Sequence, residues 1–205
     1  MFGNPFARPQ APEGPPLVLF VCTGNICRSP LAEKLVANRL DEAGSLPELL
    51  TSSAGLHAVV GSPMDTIPAL IAQRHGADPA HVARQIDSSI ADSASIILTM
   101  TVAQLNELVV EYPSTMKRAF TFAEFVEILE QLPDSVPPVN EESGRSLFDV
   151  AIDAFNNRSL IPRDSKRDID DPYRRSVEKH ERVLSVTAGL WPPVSARLGA
   201  SSSGK

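Results

Sequence analysis

Short uninterrupted apolar runs alternate along the chain with stretches of helical spacing. Leu17-Val18-Leu19-Phe20-Val21 is apolar throughout and ends at Thr23-Gly24-Asn25, which reads as a strand buried on both faces. After a short loop, Pro30 is placed at a first helical position and Glu33 adds a favourable charge to that first turn. Leu31, Leu35, Val36 and Leu40 then give the apolar stripe of a helix ending near Gly44. Leu49–Ala54, closed by Gly55, and Ser95–Met100 read as further strands, and Arg118–Thr121 as a short fourth candidate. Helices are predicted over Met64–His75, ended by Gly76, over Val102–Glu111 and over Phe122–Gln131. Strand and helix in alternation imply an α/β fold with a parallel sheet. Residues 132–167 break the rhythm with Pro133, Pro137, Pro138, Ser143 and Gly144 before a helical stretch at Leu147–Phe155, and read as an insertion. Val177, His180, Leu184, Thr187 and Trp191 are expected to line one face of a last helix packed on the core.

Composition narrows the class. The 205 residues, 42% hydrophobic and 21% charged, suit an ordinary globular protein. Nineteen basic against 25 acidic residues leave a formal net charge of −6, which argues against nucleic acid as a partner. No apolar run reaches the roughly 18 residues of a membrane helix, and Met1–Pro16 lacks the apolar core of a secretory signal. Two cysteines, Cys22 and Cys27, cannot build a disulfide framework, so a cytoplasmic setting is expected. Residues 1–16, with five prolines, are expected to be a disordered lead-in, and residues 200–205 a disordered tail. Residues 17–199 are expected to form a single domain, and a monomer is favoured.

The segment Cys22-Thr23-Gly24-Asn25-Ile26-Cys27-Arg28-Ser29 carries the candidate chemistry. It sits at the carboxyl end of the first strand, where open α/β sheets bind ligands, and runs into a helix. A tight loop there turns backbone N–H groups inward as an anion nest, and the helix start adds donors and partial positive charge. Arg28 supplies a planar fork for two phosphate oxygens. A thiol in that field has its pKa lowered from about 8.5 toward roughly 3.5–7.5, so Cys22 is expected as a thiolate without a histidine base. A thiolate in a phosphate-shaped cradle points to nucleophilic attack on phosphorus. Cys27 reads either as a partly buried loop residue or as a redox partner whose disulfide with Cys22 shields the nucleophile. His57, His75 and His180 have no metal-ligand spacing, so no metal and no cofactor is assigned.

With this loop in view, the chain resembles the low-molecular-weight protein tyrosine phosphatases, in a bacterial form. The resemblance rests on Cys22-Thr-Gly-Asn-Ile-Cys-Arg-Ser-Pro-Leu-Ala-Glu33, Thr51-Ser-Ser-Ala-Gly-Leu56, Gly61-Ser-Pro-Met-Asp65, His81-Val-Ala-Arg-Gln85, Ile96-Ile-Leu-Thr-Met100 and Asp168-Ile-Asp-Asp-Pro-Tyr173. It implies a four-stranded parallel sheet flanked by helices on both faces, with the phosphate-binding loop between first strand and first helix. It implies hydrolysis of phosphotyrosine through a phosphocysteine, with Cys22 as nucleophile, Arg28 binding phosphate and Asp171 as general acid and base. Asp168 and Asp170 are rivals for the acid role. Asn25 and Ser53 resemble a pair bracing the loop, with Asn25 left-handed; Ser29 resembles the group hydrogen-bonding the thiolate, and His81 one supporting the loop from behind. Tyr173 and His57 resemble the walls around the substrate ring. The implied partner is a phosphotyrosine protein, a tyrosine kinase among the candidates.

Thr101 departs from the resemblance, standing where many members carry an acid. An arsenate reductase coupled to a low-molecular-weight thiol is the alternative on the same scaffold, but arsenate offers no leaving phenol for Asp171 to protonate. A non-catalytic phosphate-binding module would be expected to lack Cys22, Arg28 or Asp171, and all three are present.

Overall fold

The computed structural model describes residues 10–43, 49–133, 145–162 and 164–190. Four parallel strands, β1 (Leu17–Cys22), β2 (Leu50–Gly55), β3 (Ile96–Thr99) and β4 (Ala119–Thr121), form one sheet in the order β2-β1-β3-β4. Around it lie α1 (Arg28–Ala43), α2 (Thr66–Arg74), α3 (Ser88–Ser93), α4 (Val102–Glu111), α5 (Phe122–Gln131), α6 (Leu147–Asn156) and α7 (Val177–Gly189). No helix among the described residues is long and apolar enough to cross a membrane.

The central strand shows why its sequence lacks polar alternation. Val18, Phe20 and Cys22 join one core with residues of α1, α5, α6 and α7, whereas Leu19 and Val21 join the core under α3 and α4 on the opposite face. The stripe read from α1 is buried as expected: Leu31, Leu35, Val36 and Leu40 are all below one-tenth exposed, and Leu31 and Leu35 pack on Ile71 and Ala72 of α2.

Three expectations are corrected in detail, and one helix is added. Helix α1 begins at Arg28, two residues before Pro30, because the preceding loop feeds straight into it. Glu33 therefore lies beyond the first turn, and its Oε2 accepts from Ser53 Oγ at 2.6 Å instead. Helix α3 was not legible: it is six residues long, with an Asp87 cap that accepts from Ile90 N at 2.8 Å. In α7 the buried stripe is His180, Val183 and Thr187, while Val177, at the helix start, is 43% exposed. The Leu184 side chain and Trp191 lie outside the described residues, as do residues 1–9 of the expected lead-in and the whole expected tail.

The insertion is part of the core as far as it is described. Leu147, Val150, Ala151 and Ala154 of α6 are buried in the same core as β1 and α5. Its exit is held by charge. Glu124 of α5 is 2% exposed and receives Arg158 Nε at 3.0 Å, with Arg167 Nη1 at 3.6 Å. Arg158 also donates to Ala119 O at 2.7 Å and stands 4.6 Å over the Phe120 ring. A carboxylate this buried depends on its cations, since removing one partner leaves an uncompensated charge. Arg158→Met is expected to cost about 3 kcal/mol in denaturant unfolding, and adding Glu124→Gln to recover part of that loss. A double variant no more stable than Arg158→Met alone would contradict this account.

Candidate active site

The segment from Cys22 to Ser29 turns through Asn25, whose φ of 53° is left-handed, a conformation asparagine tolerates better than most residues. Every loop carbonyl is taken from outside. Leu56 N donates to Cys22 O at 2.9 Å, His57 N to Thr23 O at 2.9 Å, Val59 N to Gly24 O at 3.0 Å and Asp65 N to Ile26 O at 2.8 Å. His81 Nε2 meets Asn25 O at 2.7 Å, which makes that nitrogen the protonated one, and Leu31 N donates to Cys27 O at 3.3 Å. With the carbonyls turned outward, the N–H groups of Thr23 to Cys27 find no protein partner among the described residues. They are the donors of an anion nest.

Close approach of the following loop makes this possible. A Cβ on Gly55 would lie 2.6 Å from Thr23 O and 3.1 Å from Ala58 Cα, both backbone atoms that cannot move aside cheaply. Arg84 N donates to Asn25 Oδ1 at 2.9 Å and Arg84 Nε to Ser53 O at 2.9 Å. Gln85 ties the same loop through Ala58 N at 2.9 Å and Leu56 O at 2.6 Å.

A buried polar chain then reaches the sulfur. Asn25 is fully buried, and its Nδ2 donates to Ser53 Oγ at 2.9 Å and to Ser29 Oγ at 3.0 Å. The Ser53 hydroxyl proton goes to the Glu33 carboxylate, so both serines accept from Asn25. Ser29 thus keeps its own proton for Cys22 Sγ at 3.0 Å or Ala54 O at 3.4 Å, and the sulfur is the nearer. The hydroxyl proton is thereby directed at the sulfur.

Arg28, 6% exposed, pairs with Asp171 through Nη2 and Oδ2 at 2.9 Å and donates to Ile169 O at 3.3 Å. Asp171 Oδ1 accepts from Tyr173 N at 3.1 Å. The rivals for the acid role are engaged elsewhere: Asp168 Oδ1 accepts from Val102 N at 2.8 Å at the start of α4, and Asp170 pairs with Lys179. Ile169 N, donating to Met100 O at 2.8 Å, anchors this segment to the end of β3. A cavity of about 260 Å³ is lined by Cys22, Arg28 and Asp171 together with Thr23, Gly24, Ile26, Cys27, His57, Val59 and Tyr173. His57 Nε2 lies 2.7 Å from Glu107 Oε1 at its rim.

Sequence reasoning missed Gln104. Its Nε2 donates to Thr23 Oγ1 at 3.0 Å and its Oε1 accepts from Met100 N at 3.0 Å, so it joins the loop to the end of β3. The available signal was a glutamine at a buried position of α4, 6% exposed. Thr101, the departure from the expected acid, caps α4 by accepting from Gln104 N at 3.2 Å.

Both cysteines are free. Burial, then the negative charges of Cys22 and Asp171, push the Cys27 thiol up to about 12 from an ordinary value of 9.0. The folded chain therefore holds the Cys27 proton more tightly than the unfolded chain, so this contribution to stability is complete below pH 9 and fades as pH rises toward 12. A Cys22→Ser protein is expected to take up almost no iodoacetamide at pH 7 unless unfolded first, read by mass spectrometry. Rapid native-state labelling of Cys27 would contradict this placement.

Comparison with known proteins adds to the geometry. The profile of the low molecular weight phosphotyrosine protein phosphatases matches residues 17–159. A probable low molecular weight protein-tyrosine-phosphatase, EpsP of Ralstonia nicotianae, is 36% identical over 186 residues, spanning 89% of this chain and 97% of that protein. The YwlE arginine phosphatase from Geobacillus stearothermophilus superposes with a TM-score of 0.67 at 25% identity, over 90% of this chain and 94% of its own. The tyrosine phosphatase AmsI of Erwinia amylovora superposes at 0.61 with 26% identity, over 89% and 93%. The arsenate reductase reading finds no support among these phosphatases.

Proposed function

The chain belongs to the low molecular weight phosphotyrosine protein phosphatases, and we propose that Cys22, Arg28 and Asp171 carry its hydrolysis of protein phosphotyrosine. The observation supporting this most directly is one cavity bringing together the Cys22 sulfur, the Arg28 guanidinium and the Asp171 carboxylate beside five free loop N–H groups.

The phosphoryl group sits in the loop, its equatorial oxygens on the N–H groups of Thr23 to Cys27 and on the fork of Arg28. As phosphate engages Arg28 it displaces the Asp171 carboxylate, which then takes up a proton. The Cys22 thiolate attacks phosphorus, the bond from phosphorus to the phenolic oxygen breaks, and Asp171 gives its proton to that oxygen. In the second step Asp171 takes a proton from water, whose oxygen attacks phosphorus, and the sulfur–phosphorus bond breaks. The Ser29 hydroxyl, 3.0 Å away, stabilises the departing thiolate. Ser53, Asn25 and His81 hold the loop through the hydrogen bonds above and take no part in bond making.

Ile26, Val59, Tyr173 and His57 form the walls, and they suit an aromatic ring. A phosphoarginine side chain would leave guanidine N–H donors against Ile26 and Val59, with Asp171 the only carboxylate lining the cavity. Phosphotyrosine proteins, tyrosine kinases included, are accordingly the substrates. A reduced Cys22 suits the cytoplasm. We read residues 17–199 as a single phosphatase domain with an insertion at about 132–167, whose helix α6 packs in the core.

Purified protein is expected to hydrolyse p-nitrophenyl phosphate and a phosphotyrosine peptide without sensitivity to EDTA, and Cys22→Ser to abolish both activities. Asp171→Ala should lower turnover of phosphotyrosine by about 10²-fold or more. The loss should be smaller on p-nitrophenyl phosphate, whose leaving group scarcely needs the proton. Equal losses on both substrates would remove the acid role, and faster turnover of a phosphoarginine peptide would remove the substrate assignment.

A further inference from the structure

The cavity continues past Asp171. An open depression of about 540 Å³ shares that residue and is otherwise lined by Asp170, Arg175, Ser176 and Lys179. Its two acids are already satisfied. Asp171 is held by Arg28 and by Tyr173 N. Asp170 pairs with Lys179 and lies 3.9 Å from Lys166 Nζ. The hydrogen bond from Lys179, then the charges of Lys166, Lys179 and Arg182, hold the Asp170 carboxyl below the ordinary carboxylate range. Arg175, exposed on the same wall, has no acidic partner among the described residues. The lining thus carries two acids and two cations; each acid already has a cation, and Arg175 is left over, in a chain whose formal net charge is −6.

We infer that this depression is a second anion subsite, in which Arg175, with Lys179 beside it, receives a carboxylate or phosphate carried by a residue adjacent to the phosphotyrosine in the same polypeptide. The inference rests on the phosphotyrosine reading above. The depression and the catalytic cavity share Asp171, so they are contiguous. An extended peptide advances about 3.3 Å per residue, so a residue next to the phosphotyrosine is the one to meet a depression contiguous with the cavity. The planar fork of arginine accepts carboxylate and phosphate alike. On a protein of overall negative charge, a local cation is what admits an acidic segment to the site.

The test uses phosphotyrosine peptides alike except at one neighbouring residue, which is alanine, glutamate, phosphoserine or lysine. One set varies the residue before the phosphotyrosine and a second set the residue after it. The wild-type protein is expected to show kcat/KM about five-fold higher for glutamate than for alanine in one of the sets at low salt. Phosphoserine should gain at least as much, and the preference should shrink with added salt. Arg175→Ala should bring the ratio near one, and Arg175→Glu should reverse it in favour of lysine. Each ratio is internal to one protein preparation, so a fraction of unfolded variant cancels. A gain confined to glutamate marks an acidic segment as the ligand, and one confined to phosphoserine a doubly phosphorylated segment; either supports the subsite. Ratios to alanine near one for both glutamate and phosphoserine in both wild-type sets, or ratios unchanged in both Arg175 variants, overturn it. Failure of the wild-type protein to hydrolyse any of the peptides overturns the phosphotyrosine reading itself, and the subsite with it.

Discussion

Everything at the site depends on the outward turn of six consecutive carbonyls. Cys22, Thr23, Gly24, Asn25, Ile26 and Cys27 each give their carbonyl oxygen to a donor outside the loop. A peptide unit points its N–H opposite its C=O, so fixing one fixes the other. The partners come mainly from the 56–65 segment, which can lie this close only because Gly55 has no side chain. The anion nest is therefore built from behind, by backbone donors of the neighbouring segment, two of which (His57 and Val59) also line the cavity with their side chains.

The same principle organises the polar groups. Asn25 is buried without access to water, so each of its amide atoms must find a partner. It finds them in Ser53, Ser29 and Arg84, and the Glu33 carboxylate at the far end, an acceptor only, sets the direction of the donors. One partly buried acid in α1, Glu33, thus orients a serine proton toward a sulfur it does not touch. Electrostatic preorganisation of this kind costs no rearrangement when the reacting charge develops.

How much of this was legible in the sequence varies with the length scale of the signal. Leu17–Val21 announces a strand buried on both faces because five apolar residues in a row suit nothing else at that length. The helices Val102–Glu111 and Phe122–Gln131 form at the expected bounds because each starts at a threonine cap and carries a long apolar face. Cys22, Arg28 and Asp171 were legible as motif members, and their meeting in one cavity follows from the fold. Helix α3 was not, since six residues cannot display a helical period. Nor was Gln104, whose hydrogen bonds join groups 4 and 81 residues away along the chain. The start of α1 was misplaced because Pro30 looked like a helix opener, whereas the loop geometry had already set Arg28 and Ser29 in the first turn.

The clamp of Glu124 by Arg158 and Arg167 has an evolutionary corollary. It grips the chain just before Asp168, after the long excursion that follows α5. Closing a flexible loop grows more costly only with the logarithm of its length, about 0.6 kcal/mol per doubling. With the returning end pinned by Arg158 and Arg167, residues gained or lost ahead of α6 leave the spacing between acid and sulfur in place. A change of length between α5 and α6 is thus expected to leave the catalytic distances as they are, whereas α6 itself is held in the core.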